Sequence, residues 1–130
     1  MKLSKLTLFS LLIFLSSCFP NVSNKQIKDA MNIGGTMLAD EDFKKAIGFI
    51  ELHKLRYGEY PASLSELKFV SGMDSSIYSS VQYTKLDTAY ELNNIYTFPP
   101  FGNTKTESVI KLHYPAEFWK GLGCIKSNAK

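Results

Sequence analysis

Cysteine is scarce in this 130-residue chain: Cys18 and Cys124 are the only two, so no disulfide framework can stand in for a hydrophobic core. Histidine is as rare, with His53 and His113 alone. No His-Glu-x-x-His, paired cysteine or Asp-rich loop accompanies them, and the sequence offers no ligand set for a metal. No apolar run approaches the roughly 20 residues of a membrane-spanning helix. Charge of one sign is missing too. Fifteen Lys and Arg face twelve Asp and Glu, a formal +3, an even balance that argues against nucleic acid as the partner. No serine stands in Gly-x-Ser-x-Gly, and Gly34-Gly35 lacks the lysine and strand context of a phosphate loop. What the chain does have is apolar and aromatic side chains, at 45% and 13% against 21% charged, which argues for a folded domain over a disordered chain. The length suffices for one modest core.

The first residues are organised differently from the rest. Met1-Lys2-Leu3-Ser4-Lys5 is a short basic start leading into the ten residues Leu6 to Leu15. As a helix these reach roughly 15 Å, about half the hydrocarbon thickness, so they read as the apolar region of an export signal and not as a span. Leu15-Ser16-Ser17-Cys18 follows: an aliphatic residue, two small ones and a cysteine. This order resembles the lipobox of bacterial lipoproteins. The resemblance implies cleavage between Ser17 and Cys18, a diacylglycerol thioether on Cys18, and a new amino terminus open to acylation. A thiolate is the nucleophile able to take the lipid, and more than one acyl chain gives durable anchoring. On this reading residues 1–17 are removed, 18–24 form a lipidated tether, 25–125 make one small domain and 126–130 fray. With Lys2 and Lys5 gone the remainder carries a formal +1. Phe19 after the cysteine is not acidic, which points to outer-membrane residence, at the periplasmic face or the cell surface. With Cys18 lipidated no intramolecular disulfide is available, and Cys124 in Gly121-Leu122-Gly123-Cys124-Ile125 reads as a small buried thiol.

Along the mature chain, Asn24 can cap a helix over Lys25 to Ile33. Gly34-Gly35 is expected to break or hinge it, because two adjacent glycines cost about 2 kcal/mol relative to alanine, the alternative being a long continuous helix with a weak point there. Asp40-Glu41-Asp42 then suits a second helix start, compensating the dipole. From there Phe43, Ile47, Ile50, Leu55 and Tyr57 recur at helical spacing opposite Lys44, Lys45, Glu51 and Lys54, an amphipathic helix ended by Gly58. Ser63-Leu64-Ser65-Glu66 reads as a capping box before a short helix to Phe69. Gly72 to Ser76 reads as a loop. The period then becomes two: Val81, Tyr83, Lys85 and, after an Asp87-Thr88 turn, Tyr90 and Leu92 define a hairpin, with a third strand expected over about Ser108 to Tyr114. The fold class is therefore α+β, an amphipathic N-terminal helix on a small antiparallel sheet of about three strands.

The stretch Ile50-Glu51-Leu52-His53-Lys54-Leu55-Arg56-Tyr57-Gly58-Glu59-Tyr60-Pro61-Ala62-Ser63-Leu64-Ser65-Glu66-Leu67, with Tyr90-Glu91-Leu92 further on, is similar to the globular headgroup of type IV pilin-like proteins and type II secretion pseudopilins. There, too, a helix runs into Gly-x-Tyr-Pro, a short helix and a small sheet. The resemblance covers Phe43 to Leu92. It departs at the amino terminus, where pilins retain an apolar helix with a glutamate near its start. Here the apolar run precedes Cys18, so the resemblance implies a pilin-type headgroup mounted on lipid, not a filament subunit.

No nucleophile-and-base constellation emerges. His53 and His113 read as solvated or partly packed, and Asp40, Glu41 and Asp42 splay around a helix. Most aromatics read as core, while Phe98 and Phe101, beside Pro99-Pro100, are candidates for an exposed contact patch. Three functions follow in order of support: a non-enzymatic envelope lipoprotein acting through contact with an unknown envelope protein, an accessory of a pilin-like or type II secretion assembly, and a small hydrolase or ligand carrier. None calls for a catalytic residue, metal or cofactor that the sequence supplies.

Overall fold

The computed structural model describes residues 23–69, 71–97 and 109–130. The chain divides into two compact units, Met1–Ala30 and Met31–Lys130. In the first, the Ser23 hydroxyl accepts from the Gln26 amide at 3.3 Å while the Gln26 side chain accepts from the Ser23 amide at 3.0 Å. This is a reciprocal capping box one residue earlier than the expected Asn24 cap. Residues 23–30 are exposed.

Helix α1 runs over Asn24–Tyr57, 34 residues without interruption. The break expected at Gly34-Gly35 does not occur and the helix is the continuous alternative, while Asp40-Glu41-Asp42 lies mid-helix instead of compensating a dipole at a start. Lysines one turn on explain why the acidic run is tolerated there: Lys44 pairs with Asp40 at 2.8 Å and Lys45 with Glu41 at 2.7 Å, both in the favourable acid-before-base order. Burial of Ala39, Phe43, Ala46, Ile47 and Ile50 commits the same helix to the core and offsets the glycine penalty. A side chain at Gly34 would meet nothing within 4 Å. Gly34→Ala is therefore expected to raise stability by about 0.5–1 kcal/mol, read as a higher denaturation midpoint; a flexible joint at this point would instead be weakened. Gly58, at φ 83°, ends the helix, its amide donating to the Lys54 carbonyl at 2.9 Å.

Beyond α1 the chain makes a 3₁₀ turn at Leu64–Glu66. The capping box expected at Ser63 is not formed: the Glu66 carboxylate accepts from the Ala62 amide at 2.8 Å, and the Ser63 hydroxyl pairs with that of Ser65. The box sits instead at Ser71, whose side chain and Asp74 cap a second 3₁₀ turn, Gly72–Ser76, in the segment expected to be a loop. Helix α2, Ile77–Ser80, leads directly into the sheet.

Strands β1, Val81–Lys85, and β2, Tyr90–Asn94, form the expected antiparallel hairpin, Tyr83 opposite Leu92. Its turn is closed by the Leu86 amide on the Ala89 carbonyl. Alternation holds, with Tyr90, Leu92 and Asn94 buried. The third strand differs from expectation. Residues 109–114 contribute a bridge, Thr97 to Val109, and one amide, Ile110 to the Tyr96 carbonyl, but no ladder. The strand is β3, Cys124–Lys126, which lies parallel to β2. The sheet is accordingly mixed, in the order β1-β2-β3.

The tail expected to fray is fixed. Asn128 behaves as an extra strand residue: its side-chain oxygen accepts from the Asn94 amide and its nitrogen donates to the Asn94 carbonyl, each at 2.8 Å. The buried Asn94 side chain is satisfied in turn by the Ile110 carbonyl and the Tyr96 amide. Ala129 is buried, and its carbonyl accepts from Tyr114. Lys130 Nζ donates to the Cys124 and Ile125 carbonyls and lies 5.0 Å from the Trp119 ring centre. The fold is α+β, a long helix packed on a small three-stranded sheet.

Candidate functional site

Three carboxylates project from α1 into its packing layer, and each is met by hydroxyls from the rest of the domain. Asp40 accepts from Tyr114 at 2.7 Å as well as pairing with Lys44. Burial pulls its pKa upward, but the Lys44 and Tyr114 hydrogen bonds and the Lys44 charge outweigh it and hold the carboxyl below its ordinary value. Asp42, itself buried, accepts from Ser76 at 2.7 Å and from Ser80. Glu51, one face further along, is the most heavily used. It accepts from the Tyr90 hydroxyl at 3.0 Å, the Tyr60 hydroxyl at 3.2 Å and the Gly123 amide at 2.7 Å.

The Glu51 node gathers the turn after α1, the central strand and the approach to β3 around one acceptor. Its lone pairs are already directed at protein donors, so the geometry suits a structural pin and not a general base. The phenols beside it are held neutral. Burial first, then the adjacent Glu51 charge, pushes Tyr90 well above the ordinary phenol range and Tyr60 in the same direction. Tyr83, whose hydroxyl donates to the Pro61 carbonyl at 2.7 Å, is pushed by burial to about 12. Burial and then its Asp40 bond raise Tyr114 likewise.

These four shifts have a sign. A tyrosine that holds its proton more tightly when folded adds stability fully below the unfolded value of 10.0, and that stability is lost as pH rises from there toward the folded value. The protein is therefore expected to lose thermal stability steadily above about pH 10, with tyrosinate absorbance lagging that of the unfolded chain. Tyrosinate forming at the model-peptide pH in all seven tyrosines would contradict the packing.

The residues singled out in the sequence are distributed as follows. Ser17, Cys18, Phe98 and Phe101 lie outside the described residues, so the lipidation site, the cleavage site and the contact patch are not placed. Cys124 is buried, its thiol donating to the Lys126 carbonyl at 3.3 Å. Burial pushes that thiol's pKa above its usual value, so it stays protonated and is a poor nucleophile. His53 packs against the Tyr57 ring with Nε2 4.0 Å from Glu66, whereas exposed His113 lines a separate groove. The structure does not bring the two together. Among the described residues no three His, Cys, Asp or Glu side chains converge as a metal site.

Sequence reading missed the Glu51 node, because its donors lie 9, 39 and 72 residues away. It also missed an aromatic stack in which Tyr114 lies between Phe43 and Phe118 at 5.6 and 4.3 Å, with Trp119 edge-on to all three. The only available signal was the density of aromatics between 114 and 119. Comparison with known proteins gives no match, whether to a family model, a curated protein or a solved structure.

Proposed function

We propose that this is a lipid-anchored protein of the bacterial cell envelope that works by protein contact and not by catalysis. The observation that carries the reading is Leu15-Ser16-Ser17-Cys18 placed directly after a ten-residue apolar run and a basic start. The fold is compatible with it. Among the described residues, the core cluster runs from Ala39 to Ala129. No described helix is long and apolar enough to cross a membrane; on this reading attachment comes from acyl chains on Cys18. The carboxylates of α1, engaged by internal donors, favour a binding scaffold over a hydrolase.

Cys18→Ser separates this reading from secretion with an incidental cysteine. The variant is expected to accumulate as an uncleaved precursor, while the native protein partitions into detergent after envelope extraction. A Cys18→Ser chain cut and released like the native one would refute the anchor.

A second reading, an accessory of a pilin-like or type II secretion assembly, is favoured by one observation. An unbroken helix passes through Gly34-Gly35 and is followed by a short 3₁₀ turn and an antiparallel hairpin, the order that the Gly-x-Tyr-Pro resemblance implies. Cross-linking in intact envelopes decides it: recovery of secretion or pilus subunits supports this role, and recovery of unrelated envelope proteins assigns the contact elsewhere.

A further inference from the structure

Two open grooves of similar size flank the middle of α1, and their charges differ. One, about 490 Å³, is bordered by Glu41, Asp42, Lys45 and the serines of the second 3₁₀ turn. The other, about 520 Å³, runs between α1 and the segment Lys111 to Tyr114. Its apolar lining is Ile33 and Met37, one helical turn apart and 63% and 66% exposed, with buried Leu112 from the other side. Its polar wall is basic, with exposed Lys111 and His113. The one carboxylate at its end, Asp40, is already compensated by Lys44 and by the Tyr114 hydroxyl.

An apolar groove of this volume with an exposed lysine on its wall is complementary to a ligand with a hydrocarbon body and an anionic head. We propose that this groove binds a single-chain anionic amphiphile, a fatty carboxylate, its chain along Ile33 and Met37 and its head at Lys111 and His113. A wholly polar ligand would leave the thioether and aliphatic lining unused. The inference lies wholly within residues 31–130 and stands whether or not Cys18 carries lipid.

Isothermal titration of the full-length Cys18→Ser chain tests it, since the probe is then the only acyl chain present. Decanoate below its micelle concentration is expected to bind saturably at one site. Going from octanoate to decanoate to dodecanoate should tighten binding roughly three- to fourfold per methylene until the groove is filled. Decanol, with the same chain and no charge, should bind several-fold more weakly. Met37→Asp, at an exposed helical position, should reduce binding of both probes about tenfold or more. Lys111→Glu should weaken decanoate and leave decanol unchanged, circular dichroism confirming that both variants fold. The proposal is overturned if decanoate shows no saturable binding, if both variants bind it as the parent does, or if the chain binds only phosphatidylglycerol vesicles and no monomeric amphiphile.

Discussion

Glu51→Ala should lower the stability of the domain by about 3 kcal/mol, on the order of 15 °C in Tm, read by thermal and chemical denaturation. The residue is half-buried on a helix, and by composition alone it would pass for a solvated charge worth a few tenths of a kcal/mol. What sets it apart is its donors: two phenols and one backbone amide aim at one carboxylate at 2.7–3.2 Å. Tyr60 and Tyr90 are both buried, so truncation leaves hydroxyls that water reaches poorly, and an orphaned buried donor costs about 1–3 kcal/mol. Glu51→Gln keeps one acceptor oxygen but turns an amide toward a phenol that also donates. It should fall between parent and alanine variant. If Glu51→Ala changes stability by less than about 0.5 kcal/mol, the node does not hold the helix to the sheet.

The second large effect is expected at Gly123. A Cβ built there falls on the Tyr60 ring and hydroxyl. Tyr60 is not free to move aside: its hydroxyl is on Glu51 and its ring is edge-on to Tyr90 at 5.0 Å. Gly123→Ala should therefore displace either the ring or the start of β3, losing about 3 kcal/mol. The same substitution in a Tyr60→Ala background should be almost neutral, because the space has been vacated. The resulting coupling of about 2 kcal/mol or more would show that the clash, and not backbone freedom, makes glycine necessary. Additive losses in the double variant would point to the backbone instead.

Both effects arise from contacts that sequence periodicity does not encode. The hairpin was legible because Val81, Tyr83, Tyr90 and Leu92 alternate with polar neighbours and the pleat reads that pattern directly. The buried stripe of α1 was legible from Phe43, Ile47 and Ile50 for the same reason. Gly34-Gly35 misled, since local propensity suggests a break while a long cooperative helix, anchored by core burial further along, runs through it. Asp40-Glu41-Asp42 carried a correct signal that went unused: Lys44 and Lys45 stand four residues on, which marks a helix interior as readily as a start. β3 was illegible because three residues beside glycines have no period, and their pairing with β2 is settled by partners far away in sequence. Asn128 imitating a strand is likewise visible only once Asn93 and Asn94 are placed. Of the candidate site, the groove's apolar side at Ile33 and Met37 had the right spacing, but Lys111 and His113 arrive from 74–80 residues later.

The address of the protein is the claim on which the proposed role depends, and intact-mass spectrometry of the native protein extracted from envelopes tests it most directly. The account predicts a chain that begins at Cys18 and is heavier than its amino acids by a diacylglyceryl group, with or without a further acyl chain on the new amino terminus. A mass equal to the unmodified polypeptide, beginning at any residue, would contradict it.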